Sequence, residues 1–139
     1  KQTCWPARLE KLSSEPLIVL DGAHNPHAMK ALIASLESHF PDYQKNILFT
    51  CIQTKALEEM VTLLKTVAKS QLVLTVFEDS RSFSKEEMQD LAKREKLAYT
   101  EWMPYLKQYK TAKSEKNKLL LITGSLYFLA EVRKYLLND

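Results

Sequence analysis

Two short stretches of this chain gather the residue types that chemistry needs. Asp21-Gly22-Ala23-His24-Asn25-Pro26 sets a carboxylate, an imidazole and an amide close together, and Thr123-Gly124-Ser125 sets two hydroxyls around a glycine. They hold the only two glycines, Gly22 and Gly124. In the first, an acid leaves an apolar run, Gly22 allows a tight turn, and His24 and Asn25 lead straight into a helix start. The second is again a strand-to-helix turn. Exposed amides at such a start, with the Ser125 hydroxyl, can hold a carboxylate or phosphate. Ligands of open α/β sheets bind beyond the carboxyl ends of the strands, where both turns would lie.

Each stretch also has a plainer reading. Asp21 and Asn25 can satisfy backbone amides of the turn, and Ser125 can be only a helix N-cap. His24 and His27 stand three apart, a spacing that metal sites use, but no cysteine or third histidine clusters with them, so no metal ligands are expected here. His39 reads as a surface residue complementing a helix dipole. Lys107, Lys110, Lys113, Lys116 and Lys118 read as a solvated face. Trp5 and Trp102 are either core or interface anchors.

The elements that must position these groups follow from hydrophobic periodicity. Leu17 to Leu20, Asn46 to Ile52, Leu72 to Phe77 and Leu119 to Thr123 are continuous apolar runs, as expected of strands covered on both faces. Tyr99 to Met103 is a weaker strand. Arg8 to Leu12 pairs with the next run through a turn at Ser13-Ser14-Glu15-Pro16, giving one antiparallel edge strand. Asn25 N-caps a helix with Pro26 at its first position and Met29, Leu32, Ile33, Leu36 and Phe40 facing the core. A second helix is expected over Lys55 to Lys69. A third opens with the capping box Ser84-Lys85-Glu86-Glu87. A fourth begins at Pro104, and the last near Ser125. The sum is an α/β fold: a Rossmann-like three-layer sandwich with a mostly parallel six-stranded sheet.

Composition narrows the function. The chain has 139 residues, enough for one core, and is 45% hydrophobic and 27% charged, as in ordinary globular proteins. A formal charge of +3 does not argue for nucleic acid, and no apolar run approaches a membrane span of roughly 20 residues. Two cysteines, Cys4 and Cys51, are too few for a disulfide framework; Cys51 reads as a buried thiol in a reducing cytoplasm. Gly22 and Gly124 cannot build a triphosphate-binding loop, a dinucleotide fingerprint or a nucleophile elbow, each of which needs closely spaced glycines. The chain thus carries anion-friendly loops without machinery for a triphosphate.

Three segments carry a resemblance. Asp21-Gly22-Ala23-His24-Asn25-Pro26-His27-Ala28 resembles a signature of folylpolyglutamate synthases, members of the Mur ligase superfamily. Ile122-Thr123-Gly124-Ser125-Leu126-Tyr127-Phe128 resembles the matching motif near their C-terminus, and Trp5-Pro6-Ala7-Arg8-Leu9-Glu10 resembles their interdomain Trp-Pro-Gly-Arg-Leu-Glu segment. The order and spacing agree along essentially the whole chain. The resemblance implies residues 1–7 as a linker remnant and residues 8–139 as a Mur ligase C-terminal domain.

It further implies an amide ligase using ATP and Mg2+. The γ-carboxylate of a folate or its glutamate tail becomes an acyl phosphate, the amine of L-glutamate attacks it, and phosphate leaves. Bifunctional members also act on dihydropteroate. The phosphate loop and metal ligands would belong to an N-terminal ATPase domain of the same chain, so the isolated piece is expected to be inactive. By resemblance, Arg8 and Asp21 contact ATP, His24 sits near the reacting phosphate or the incoming glutamate as the catalytic candidate, and Ser125 lies near the glutamate. The sequence departs from the family at Ala7, usually Gly, and at Phe49 to Ala56, where a Gly and an Asp-Lys-Asp pattern reduce to Lys55. The competing reading is a non-catalytic regulatory domain that binds a nucleotide or an amino acid.

Overall fold

Strands with no polar face need cover on both sides, and this chain supplies helices for each. The computed structural model describes residues 8–137. Its elements run β1 (Glu10–Ser14), β2 (Leu17–Asp21), α1 (Pro26–His39), β3 (Gln44–Phe49), α2 (Leu57–Leu64), β4 (Ser70–Leu74), α3 (Lys85–Glu95), β5 (Ala98–Tyr99), α4 (Trp102–Thr111), β6 (Lys118–Thr123) and α5 (Leu126–Leu137). The strands form one sheet in the order β1-β2-β6-β3-β4-β5. Only β1 runs antiparallel, against β2; the other pairs are parallel.

Side chains of a strand alternate between faces, and the core divides accordingly. Val19, Ile47, Phe49, Leu72, Leu119 and Leu121 pack with α1, α2 and α3 through Leu32, Leu36, Met60, Val61 and Leu91. Ile18, Leu20, Leu48, Val73, Leu120 and Ile122 pack with α4 and α5 through Trp102, Leu106, Phe128 and Val132. This is the three-layer arrangement expected from the apolar runs. Trp102 is a core residue, edge-on to Phe128 at 5.5 Å between ring centroids. Trp5 and Cys4, with the linker remnant expected over residues 1–7, lie outside the described residues.

Several boundaries differ from the sequence expectation. β1 starts two residues later than Arg8 and includes Ser13 and Ser14, which pair with Ile18 and Leu17. An edge strand tolerates such polar residues because one side meets water. β3 and β4 begin earlier and stop at Phe49 and Leu74. The apolar residues beyond them belong to packed loops: Phe77 sits 5.4 Å from the Phe128 ring, and Ile52 bridges Ser82. β5 is only Ala98–Tyr99, since Trp102 and Met103 already belong to α4. Pro104 therefore sits in the first turn of α4 rather than opening it, where its missing N–H has no intrahelical partner to lose. α2 spans Leu57–Leu64 instead of Lys55 to Lys69, because Thr66 and Val67 donate to the carbonyls three residues back, of Leu63 and Leu64. Val67 is still buried.

Candidate functional site

β6 comes late in sequence yet lies between β2 and β3, and this insertion joins the two glycine turns. Asp21 at the end of β2 is paired in register with Thr123 at the end of β6, which in turn pairs with Phe49 of β3. The carboxyl ends of the three central strands therefore open on one rim. Asp21-Gly22-Ala23-His24-Asn25 leaves that rim into α1, and Gly124-Ser125 leaves it into α5.

Both turns are shaped by local hydrogen bonds. Asn25 accepts from the Ala28 amide at 2.8 Å, starting α1 as an N-cap should. Asp21 Oδ1 accepts from the Ala23 amide at 2.9 Å and from Arg8 Nη1 at 3.1 Å. The Asp21 side chain is 3% exposed. Burial raises its pKa, while the Ala23 amide and then Arg8 pull the other way. The plain and the functional readings of Asp21 thus coexist: one oxygen shapes the turn and holds Arg8.

Ser125 shows the same duality. It is buried, and its Oγ accepts from the amides of Tyr127 at 3.1 Å and Phe128 at 3.3 Å, capping α5. Both bonds use hydroxyl lone pairs, so the proton remains to be donated. His24 is exposed, with Nδ1 3.1 Å from the Gly22 carbonyl. A carbonyl only accepts, so in this bond Nδ1 carries the hydrogen and Nε2 keeps its lone pair in the neutral ring.

Gly124 lets the second turn pack against the end of β3. Its φ is +121°, and a Cβ there would stand 1.8 Å from the Thr50 carbonyl oxygen and 2.9 Å from the Phe49 ring. Beside it, the buried hydroxyls of Thr50 and Thr123 have no hydrogen-bond partner among the described residues. Cys51, also buried, is held as an inert thiol, its pKa pushed up to about 12 by burial.

Together His24, Ile52, Gly124, Ser125, Leu126 and Tyr127 line an open cleft of about 380 Å³. Apolar walls with one imidazole, one hydroxyl and a helix start fit a small ligand with a short aliphatic body and an anionic end. Of the residues singled out from sequence, His24 and Ser125 line this cleft, while Asp21 lies outside its lining at the adjoining end of β2, with Arg8 bonded to it. Sequence reasoning assigned no role to Tyr127 or to Arg81, whose guanidinium lies 3.6 Å from the Tyr127 ring centroid. The available signal was an Asp79-x-Arg81 pair in the loop after β4, another strand end. Lys55, the remnant of the family pattern, is exposed before α2 and outside this cleft lining. Among the described residues no three His, Cys, Asp or Glu side chains come together as a metal site. No helix there is long and apolar enough to cross a membrane.

A parallel-sheet α/β domain with its polar groups on two strand-end turns defines the class; comparison with known proteins supplies the family. Residues 7–126 match the Mur ligase, glutamate ligase domain, and the chain belongs to that family. The chain is 27% identical to the dihydrofolate synthase/folylpolyglutamate synthase of Bacillus subtilis, over 97% of this chain and 31% of that protein. Its fold matches the crystal structure of Helicobacter pylori folylpolyglutamate synthetase with a TM-score of 0.72 and 23% identity, covering all of this chain and 33% of that one. It likewise matches the bifunctional folylpolyglutamate synthase/dihydrofolate synthase of Yersinia pestis complexed with AMPPNP and Mn, with a TM-score of 0.73 and 20% identity, over 96% of this chain and 32% of that one. The chain thus spans about a third of the length of the Bacillus subtilis relative.

Proposed function

We propose that this domain is the C-terminal part of an ATP-dependent ligase that joins L-glutamate to folate polyglutamates, dihydropteroate or both, through an acyl phosphate. The observation that carries the reading is the pairing of Asp21 with Thr123. It sets the two family-like motifs side by side on one rim, although they lie about a hundred residues apart in sequence. The names of the similar proteins point the same way, as does the AMPPNP on the Yersinia pestis enzyme.

In this reading the rim works as half of a site. Arg8 and Asp21 meet the nucleotide: Arg8 offers the guanidinium donors that Asp21 does not use, and Asp21 offers Oδ2. Ser125 donates its hydroxyl proton to a carboxylate of the incoming glutamate at the start of α5, where the helix dipole favours negative charge. The two methylenes of glutamate lie against Ile52, Leu126 and Tyr127. His24 faces the reacting phosphate and the amine, where Nε2 can take the proton that the amine loses as the amide forms. In the same reading Mg2+ and the triphosphate are held mainly by an N-terminal ATPase domain of the parent chain. The reaction belongs to the cytoplasm, in keeping with the free thiol of Cys51.

The test is ATP-dependent incorporation of labelled L-glutamate into tetrahydrofolate and dihydropteroate by the full parent chain, with Asp21→Ala as control. Incorporation that requires ATP and falls at least about 100-fold in the control supports the ligase, the scale of losing a charged contact to a reacting substrate. No incorporation by a folded parent chain would replace this reading with a non-catalytic nucleotide- or amino-acid-binding regulatory domain.

A further inference from the structure

Resting on the ligase reading, we propose that Asp79 and Arg81 clamp the Tyr127 ring as a fixed wall of the strand-end cleft. Arg81 then becomes a positioning residue for the amino-acid substrate. Tyr127 occupies the first turn of α5 and is 49% exposed, so its neighbours there leave its ring much freedom. The ring nevertheless lines the cleft with His24 and Ser125. What restrains it is a guanidinium laid over it at 3.6 Å, close enough for a cation–π contact.

That guanidinium is itself fixed. Arg81 Nε and Nη2 donate to the two oxygens of Asp79 at 2.8 and 2.7 Å, and the Arg81 amide donates to the same carboxylate at 2.8 Å. The fork holds the Asp79 carboxyl down at about 2, so the clamp stays ionised across the neutral range. The loop beneath is anchored in turn: the Gln53 amide donates to the Arg81 carbonyl at 2.7 Å, Gln53 Nε2 donates to the Ser82 carbonyl at 3.2 Å, and Ile52 bridges Ser82. Ile52 is another wall of the cleft, so one loop sets two of its walls.

Arg81 is not among the residues lining the cleft. Its effect therefore passes through the ring: immobilising Tyr127 beforehand removes part of the ordering cost of binding. Only an arginine can fork onto Asp79 and stack on a ring at once; a lysine offers a point charge.

The test uses the full parent chain, with L-glutamate varied at saturating ATP and folate. It compares wild type with Arg81→Lys, Arg81→Ala, Tyr127→Leu and the Arg81→Ala/Tyr127→Leu double variant. Both Arg81 variants should raise the KM for glutamate about 5- to 10-fold, the scale of a lost cation–π contact, with kcat within about twofold and the KM for ATP unmoved. Because Arg81 acts through the ring, the double variant should be no worse than Tyr127→Leu alone. An unmoved glutamate KM, a matching rise for ATP, or additive single effects would each overturn the clamp. Arg81→Lys keeps a charge at a half-exposed position and keeps the test decisive should Arg81→Ala fail to fold. A wild-type parent without incorporation sinks the ligase reading itself, whereas an active parent with unmoved KM values sinks only this inference.

Discussion

Single residues here differ sharply in what they tolerate, and the two glycines show why. Alanine at Gly124 would take a strained φ of +121° and drive its Cβ into the Thr50 carbonyl, a rigid backbone atom. Alanine at Gly22 would meet only Leu126 Cδ2 at 2.5 Å, the tip of an exposed side chain that can turn away. Denaturant melts should show Gly124→Ala costing about 3 kcal/mol or more and Gly22→Ala within about 1 kcal/mol of wild type; the reverse order would refute the geometry. Asp21 carries a pH signature. Its raised pKa means that the native state holds the proton more tightly than the unfolded chain just above the ordinary carboxylate range. Its contribution to stability must therefore fall as pH rises through that window. The stability of wild type minus that of Asp21→Asn, followed from about pH 4 to about pH 7, should decline; a rising difference would mean that Arg8 and the Ala23 amide outweigh burial.

Among the elements, two helix starts form a matched pair. Ser84 caps α3 in a full capping box with Glu87, and Ser125 caps α5. Either Ser→Ala change should cost about 1 kcal/mol in thermal or denaturant melts. Only Ser125→Ala should also raise the KM for glutamate in the parent enzyme, because only that hydroxyl lies in the cleft. Lys45 of β3 gives a second test at this scale. It is 1% exposed and donates to the carbonyls of Tyr43 at 3.0 Å and Ala68 at 3.1 Å, tying the start of β3 to the turn before β4. Burial lowers its pKa, so the unfolded chain binds the proton more tightly and this group's contribution rises with pH just below the ordinary lysine value. The stability of wild type minus that of Lys45→Met should rise between about pH 8 and about pH 10, and a falling difference would refute the direction. Which elements were readable from sequence has a physical basis. Strong periodicity and true caps located α1 and α3 closely, since those signals are local. Strand ends were misplaced at Ile52 and Phe77 because loops packed over a buried rim are as apolar as strands. The strand-end turns that carry Asp21, His24 and Ser125 were legible because such turns need particular residue types. Arg81 was not, because its partner Tyr127 lies far along the chain and only the folded sheet brings them together.

For the molecule as a whole, the domain should fold without being able to work. Its two core layers and continuous sheet predict a single cooperative unfolding transition for residues 8–139, while glutamate incorporation by that fragment with ATP and folate should be undetectable. Activity in the fragment would contradict the proposed placement of the triphosphate and metal in another domain. The ion pair of Arg133 with Glu10, at 2.7 and 3.2 Å, and that of Arg8 with Asp21 both fasten the chain before β2 to later elements. The position of β6 has a further consequence for how the domain comes into being. During synthesis β1 through β5 emerge first, yet the strand that joins β2 to β3 is the last of the six. Until it leaves the ribosome, two half-sheets wait with open hydrogen-bonding edges and bare apolar faces, and such long-range closure is slow and prone to aggregation. The keystone arrives last, so a nascent chain halted before Lys118 is expected to need a chaperone's shelter.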